Sequence, residues 1–182
     1  YWGPNDRGGI HHTYGVAASF SLVFSLLFAA VLRFFPHFCV GLFGPHPAVT
    51  EQAVEYVEIL AFGIPFLMFS QVTCAALRAV EKVNVPLISS FVSVAVNTFF
   101  NFCLIGGHFG FPALGIRGAA IATALGAVVQ AIIVLLFFLF SENPVRCSPG
   151  KMFRLPKGFL LKFFKTAAPV LLNEGMWALG TN

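Results

Sequence analysis

Long apolar blocks alternate with short polar stretches along this chain, and the alternation predicts membrane spans. Blocks at residues 14–32, 59–77, 86–105 and 118–140 stand out, and a fifth begins after Lys165. A helix needs roughly 20 apolar residues to cross ~30 Å of hydrocarbon, and each of the first four blocks is about that long. The fold class that follows is all-α, a polytopic transmembrane helix bundle. Between the third and fourth blocks, "GGHFGFPALGIRG" reads as a Gly/Pro-rich turn. It splits a run of 34 residues, Val83 to Ile116, that holds no Asp, Glu, Lys or Arg. In the second block, Pro65 removes a backbone donor and bends the helix. Ahead of that block, Glu51, Glu55 and Glu58 recur at helical spacing, which predicts a short amphipathic helix at the membrane surface.

Composition supports the lipid reading. Of 182 residues, 58% are hydrophobic and 10% charged, whereas a soluble domain has about a quarter of its residues charged. The net charge of +4 raises nucleic acid as a partner, but the basic residues sit at the ends of apolar blocks rather than along a groove. That is a topology signal, and no nucleic-acid partner is expected. Arg7, Arg78, Lys82, Arg146, Lys151, Arg154, Lys157, Lys162 and Lys165 fall on one side, nine in all, against Arg33 and Arg117 on the other. The positive-inside rule then puts the nine in the cytoplasm of a multi-pass protein of the cell membrane.

The first residue is Tyr1, and the last residues, "WALGTN", lie inside an apolar block. The chain therefore reads as a piece of a longer membrane protein. Residues 1–141 would form a partial N-terminal transmembrane lobe, 142–165 a cytoplasmic linker rich in Pro and basic residues, and 166–182 the start of a second lobe.

Several chemistries find no support. Cys39, Cys74, Cys103 and Cys147 show no CxxC, and the histidines show no ligand spacing, so neither a metal site nor a cofactor is expected. Neither GxSxG nor HExxH occurs, so an intramembrane protease of either kind is not expected.

Polar residues inside the spans are the informative ones. Ser89, Ser93, Asn97 and Asn101 follow at intervals of four on the third span, which keeps them on one third of a helix surface. Lipid cannot satisfy such a stripe, so it faces protein or a water-filled cavity. For the serines, bonding to a neighbouring helix is the ordinary role. For Asn97 and Asn101 two readings stay open, helix glue or an oxygen-rich seat for a hard cation. Thr123 lies about as deep in the fourth span as Asn101 does in the third, and a short turn makes those spans antiparallel neighbours. Asn97, Asn101 and Thr123 are thereby placed to converge. Gly118, Ala122 and Gly126 form a small-residue row for close helix approach, with Gln130 on the same face as a cavity-lining candidate beside Ser93 and Gln71. Glu174 lies nine residues past Lys165, ~13 Å inward if helical. An acid at that depth is a functional candidate by default.

These residues resemble a known family. "VNTFFNFCLIGGHFGFPALGIRGAAIAT", with "YVEILAFGIPF" and "ALRAV" upstream, is similar to the multidrug and toxic compound extrusion (MATE) family. "YWGPNDRGG" resembles the loop after that family's second helix, and "AAPVLLNEGMWALG" the opening of its seventh. The resemblance implies helices three to six of a twelve-helix transporter with two repeated six-helix lobes. It further implies export of organic, often cationic, compounds in exchange for Na⁺ or H⁺, with the remaining lobe of the parent, a small organic substrate and membrane lipid as partners. In the DinF-like branch, a first-lobe cation site takes an Asp from the first helix, an Asn and an Asp from the fifth, and a Thr from the sixth. Asn97 and Thr123 match that pattern, while Asn101 stands where the family has Asp. An amide takes up no proton, so the departure leaves Na⁺ coordination and removes proton coupling at this position. NorM-like relatives implicate a seventh-helix Glu, about one turn deeper than Glu174. A lipid-linked precursor flippase of related architecture is the alternative, and those carry more cationic cavities than these spans would form. A membrane fragment with a structural role alone is the other.

Overall fold

The computed structural model describes residues 7–41 and 47–140, together with Lys165, Ala168, Pro169 and Met176 singly. Among the described residues, the helices with both ends defined are α1 (Arg7–Phe34), α2 (Pro36–Gly41), α3 (Pro47–Ala79), α4 (Asn84–Gly106) and α5 (Ile116–Phe140). A single 3₁₀ turn, His108–Gly110, lies between α4 and α5. Four of the helices are long and apolar enough to cross a membrane, and among the described residues there is no strand. Apart from those four single positions, the inter-lobe linker and the fifth block, Glu174 included, lie outside the described residues.

Local chemistry sets the helix boundaries. Proline disfavours helical backbone in the residue before it, and α1 stops at Phe34 with Pro36 opening α2. Proline at a first helical position loses no hydrogen bond, since that N–H has no partner anyway. α3 ends in a double turn: the Lys82 N–H bonds the Leu77 carbonyl at 2.9 Å and the Glu81 N–H bonds that of Arg78 at 3.1 Å. Glu81 closes it with φ +62, the left-handed position that such caps require. Gly107 does the same for α4 at φ +70, its N–H reaching the Cys103 carbonyl.

One expectation is corrected. The acidic stretch is no separate surface helix, because it forms the first three turns of α3. No Gly or Pro interrupts residues 48–62, so nothing ends the helix between Glu58 and the apolar block. At 33 residues, α3 is about 50 Å long, well beyond the ~30 Å of hydrocarbon. Its acidic turns therefore project past the apolar layer.

The helices pack in the order α1, α3, α5, α4, with α5 making its largest contacts to both α3 and α4. Near one end, Ile10, Tyr14, Leu77 and Val80 form a buried cluster, flanked by Phe137 and Phe138. Near the other, Leu32, Ala61 and Ile64 form a second. Small residues let α5 approach its neighbours closely. A Cβ on Gly63 of α3 would sit 3.1 Å from Ala124 Cα, and one on Gly118 only 2.6 Å from the Leu104 carbonyl oxygen of α4.

Candidate functional site

The polar stripe of α4 lies against α5, and its members are bonded in sequence. Ser89 is fully buried; its hydroxyl donates to the Pro86 carbonyl at 3.1 Å and lies 3.9 Å from Cys74 Sγ on α3. One turn on, Ser93 Oγ donates to the Gly126 carbonyl at 2.8 Å. That bond crosses between helices because Gly126 has no side chain; a Cβ there would meet the Ser93 carbonyl oxygen at 3.2 Å and Asn97 Cβ at 3.3 Å.

The two asparagines and the threonine form a directed chain. Asn101 Nδ2 donates to Asn97 Oδ1 at 3.0 Å, Asn97 Nδ2 to Thr123 Oγ1 at 3.3 Å, and Thr123 Oγ1 to the Ala119 carbonyl at 2.9 Å. At the head of this chain, Asn101 Oδ1 is buried and has no hydrogen-bond partner. Most buried polar atoms are paired, so each exception calls for an explanation. The chain carries three side-chain oxygens, Asn101 Oδ1, Asn97 Oδ1 and Thr123 Oγ1, and crosses from α4 to α5 at the Asn97–Thr123 bond. An amide oxygen has two lone pairs, and that of Asn97 has spent one on Asn101. Hard cations seek such oxygen donors. No carboxylate completes the group among the described residues of α4 and α5.

The other candidates fall elsewhere. Gln130 is buried, and its amide donates to Ser90 Oγ at 3.3 Å, joining α5 to α4 three turns from Ala119. Gln71 is exposed on α3. Pro65 lines an apolar cavity of about 280 Å³ between α1, α3 and α5, together with Tyr14, Leu22, Phe69, Leu135 and Phe138. That cavity meets α5 through its C-terminal half, remote along the helix from Thr123.

Two further sets of contacts were not anticipated from the sequence. Tyr14 and Thr73 share a buried hydrogen bond of 2.9 Å between α1 and α3. The spacing of Ser70, Thr73 and Cys74 on one face of the second block carried that signal, since all three are buried. At the opposite end, Arg33 pairs with Glu58 at 3.3 Å, and Arg117 grips Glu55 through two bonds. The two basic residues set opposite the other nine thus meet two of the three acids at the start of α3.

The family model MatE matches residues 1–103, more than half of the chain and a stretch that includes Asn97 and Asn101. The probable multidrug resistance protein YoeA of Bacillus subtilis (strain 168) is 22% identical over 174 residues, which is 94% of this chain and 38% of that protein. The multidrug resistance protein MdtK of Yersinia pestis (strain Pestoides F) is 27% identical over 157 residues, or 86% of this chain and 33% of its own length. A solved structure described as the inward-facing conformation of a multidrug resistance MATE family transporter of the MOP superfamily shares the fold. Its TM-score is 0.67 at 20% identity, covering 90% of this chain and 41% of that one. The chain spans about a third to two-fifths of the length of the relatives it matches.

Proposed function

This chain belongs to the MatE family, and on that premise we propose that it supplies most of one helical lobe of a cation-coupled antiporter. The protein exports organic, often cationic, compounds across the cell membrane, and the basic loops face the cytoplasm. Na⁺ is the coupling ion of this lobe, held by oxygens of Asn97, Asn101 and Thr123. The observation that carries the reading is the buried, unpartnered Asn101 Oδ1 beside two further oxygens. H⁺ is disfavoured at this position because none of the three side chains takes up a proton near neutral pH. If a proton is coupled instead, Glu174 is the candidate acid in this chain.

Alternating access in such transporters rocks one helical repeat against another around a site near the midplane. The α4–α5 hairpin suits a rigid half of that motion. Gly118 and Gly126 bring the two helices together, and Ser93, Asn97 and Gln130 bond across them. A bound Na⁺ would satisfy the orphan oxygen and tighten the same hairpin.

The test is efflux of a fluorescent organic cation from liposomes holding the intact protein, driven by an imposed Na⁺ gradient or an imposed pH gradient. Na⁺-driven efflux that is lost in Asn101→Ala supports the proposal. Proton-driven efflux indifferent to that substitution reduces the pair to helix glue and moves the coupling elsewhere. A second readout is the Na⁺-dependent rise in thermal midpoint, which Asn101→Ala should abolish even if transport assays fail.

A further inference from the structure

The turn between α4 and α5 displays an aromatic ring at a conformational cost. Phe109 is 78% exposed and holds φ +56, ψ +26. A bulky residue in the left-handed region is a genuine outlier, and strain of that kind persists only where the surroundings enforce it. Here they do. Gly107 and Gly110 flank it at φ +70 and +82, and the Leu114 N–H closes the loop onto the Leu104 carbonyl at 2.8 Å. The His108 ring stacks on Phe102 at 4.1 Å, with Nδ1 2.9 Å from the Phe102 carbonyl oxygen. Phe109 is turned outward, stacked on Phe99 at 6.5 Å and edge-on to Phe102 at 6.3 Å.

Three observations indicate what covers this ring. First, α4 is the last helix in the packing order, and its exposed flank is an apolar row, Phe91, Val94, Phe102 and Ile105. Phe109 continues that row past the helix end. Second, no Asp, Glu, Lys or Arg occurs between Val83 and Ile116, so apart from His108, whose ring stacks on Phe102, the tip offers nothing to an ionic partner. Third, α4 at 23 residues is about 35 Å long against ~30 Å of hydrocarbon. Its end therefore reaches the boundary layer, where Arg117 and Glu55 pair at the neighbouring helix start. Trp and Tyr favour that layer, and interfacial segments bury Phe and Leu at the headgroup/acyl boundary.

We propose that Phe109, backed by Phe99 and Phe102 and joined by the exposed Phe111 of the same turn, is a membrane-interface anchor that inserts between lipid headgroups and upper acyl chains at the Arg117 end of the bundle. The strained backbone holds the ring toward lipid, where its exposure ceases to be exposure to water. The inference rests on the spanning helices and is independent of the transported ion or substrate.

The experiment places Phe109→Trp in the intact protein in phosphatidylcholine vesicles and reads the emission it adds over the parent, which already carries Trp2 and Trp177. Lipids brominated near the headgroup should quench the added emission more than lipids brominated near the chain terminus, and aqueous iodide should leave it unchanged. Quenching by iodide alone would show a water-facing loop and overturn the proposal. Quenching by none of the three would show a ring covered by protein and overturn it equally. Phe111→Trp, on extended backbone, gives the same reading should the first variant fail to fold.

Discussion

Arg117 and Glu55 lie 62 positions apart and meet as a fork, Nε to Oε2 at 2.8 Å and Nη2 to Oε1 at 2.5 Å. The pair ties the start of α5 to the third turn of α3, at the end where α4 hands over to α5. Arg117 is the second residue of α5, where the helix dipole disfavours a cation. Its residue type is explained by its partner and not by its own helix.

That asymmetry makes a prediction. Arg117→Glu or Glu55→Arg alone should lower the thermal midpoint of the intact protein in detergent, since each sets like charges against one another. The double exchange should restore it to at least the parental value, because a carboxylate at position 117 is favoured by the α5 dipole. A double exchange no better than the worse single variant would remove the fork from the account.

Asn101→Asp tests the oxygen cluster from the other direction. The substitution removes the Nδ2 donor and sets a carboxylate against Asn97 Oδ1, which now accepts from Asn101. At neutral pH without Na⁺ the variant should be less stable than the parent. Na⁺ should restore it and bind on the order of tenfold more tightly, or ~1.4 kcal/mol; acid should restore it too. Thermal midpoints across Na⁺ concentration and pH decide the matter, and a variant indifferent to both ions would argue against a cation seat.

Helix approach gives a graded expectation. Gly118→Ala drives a Cβ to 2.6 Å from a backbone carbonyl of α4, whereas Gly126→Ala brings it to 3.2 Å from the Ser93 carbonyl oxygen. Overpacking of this kind costs about 1–3 kcal/mol, and Gly118→Ala should stand at the upper end with Gly126→Ala clearly below it. Reversible unfolding of the two variants in mixed micelles measures the order. Equal losses would mean that α4 and α5 are farther apart than the structure has them.

The spans, the split at "GGHFGFPALGIRG" and the Ser89–Ser93–Asn97–Asn101 stripe were legible because helical period and lipid depth act along one helix at a time. Continuity of α3 through Glu51, Glu55 and Glu58 was legible in principle. Their acidic charges resemble those of a surface element, although no helix breaker separates them from the block that follows. Gln71 could not be placed from sequence, since a lone amide on a mostly apolar helix carries no direction; the structure leaves it exposed.

Sequence by itself determined that the chain forms membrane-length helices, which residues share a helix face, and which side chains need partners that lipid does not supply. It did so because hydrophobicity and period are local properties. Tertiary structure alone decided who those partners are. It set α5 between α3 and α4, joined Tyr14 to Thr73 and Arg117 to Glu55, and ordered the bonds from Asn101 to Thr123. It also left one buried oxygen of Asn101 unpaired. Such pairings depend on helix rotation and depth, which small residues such as Gly118 and Gly126 fix through contact between helices and which no single helix encodes.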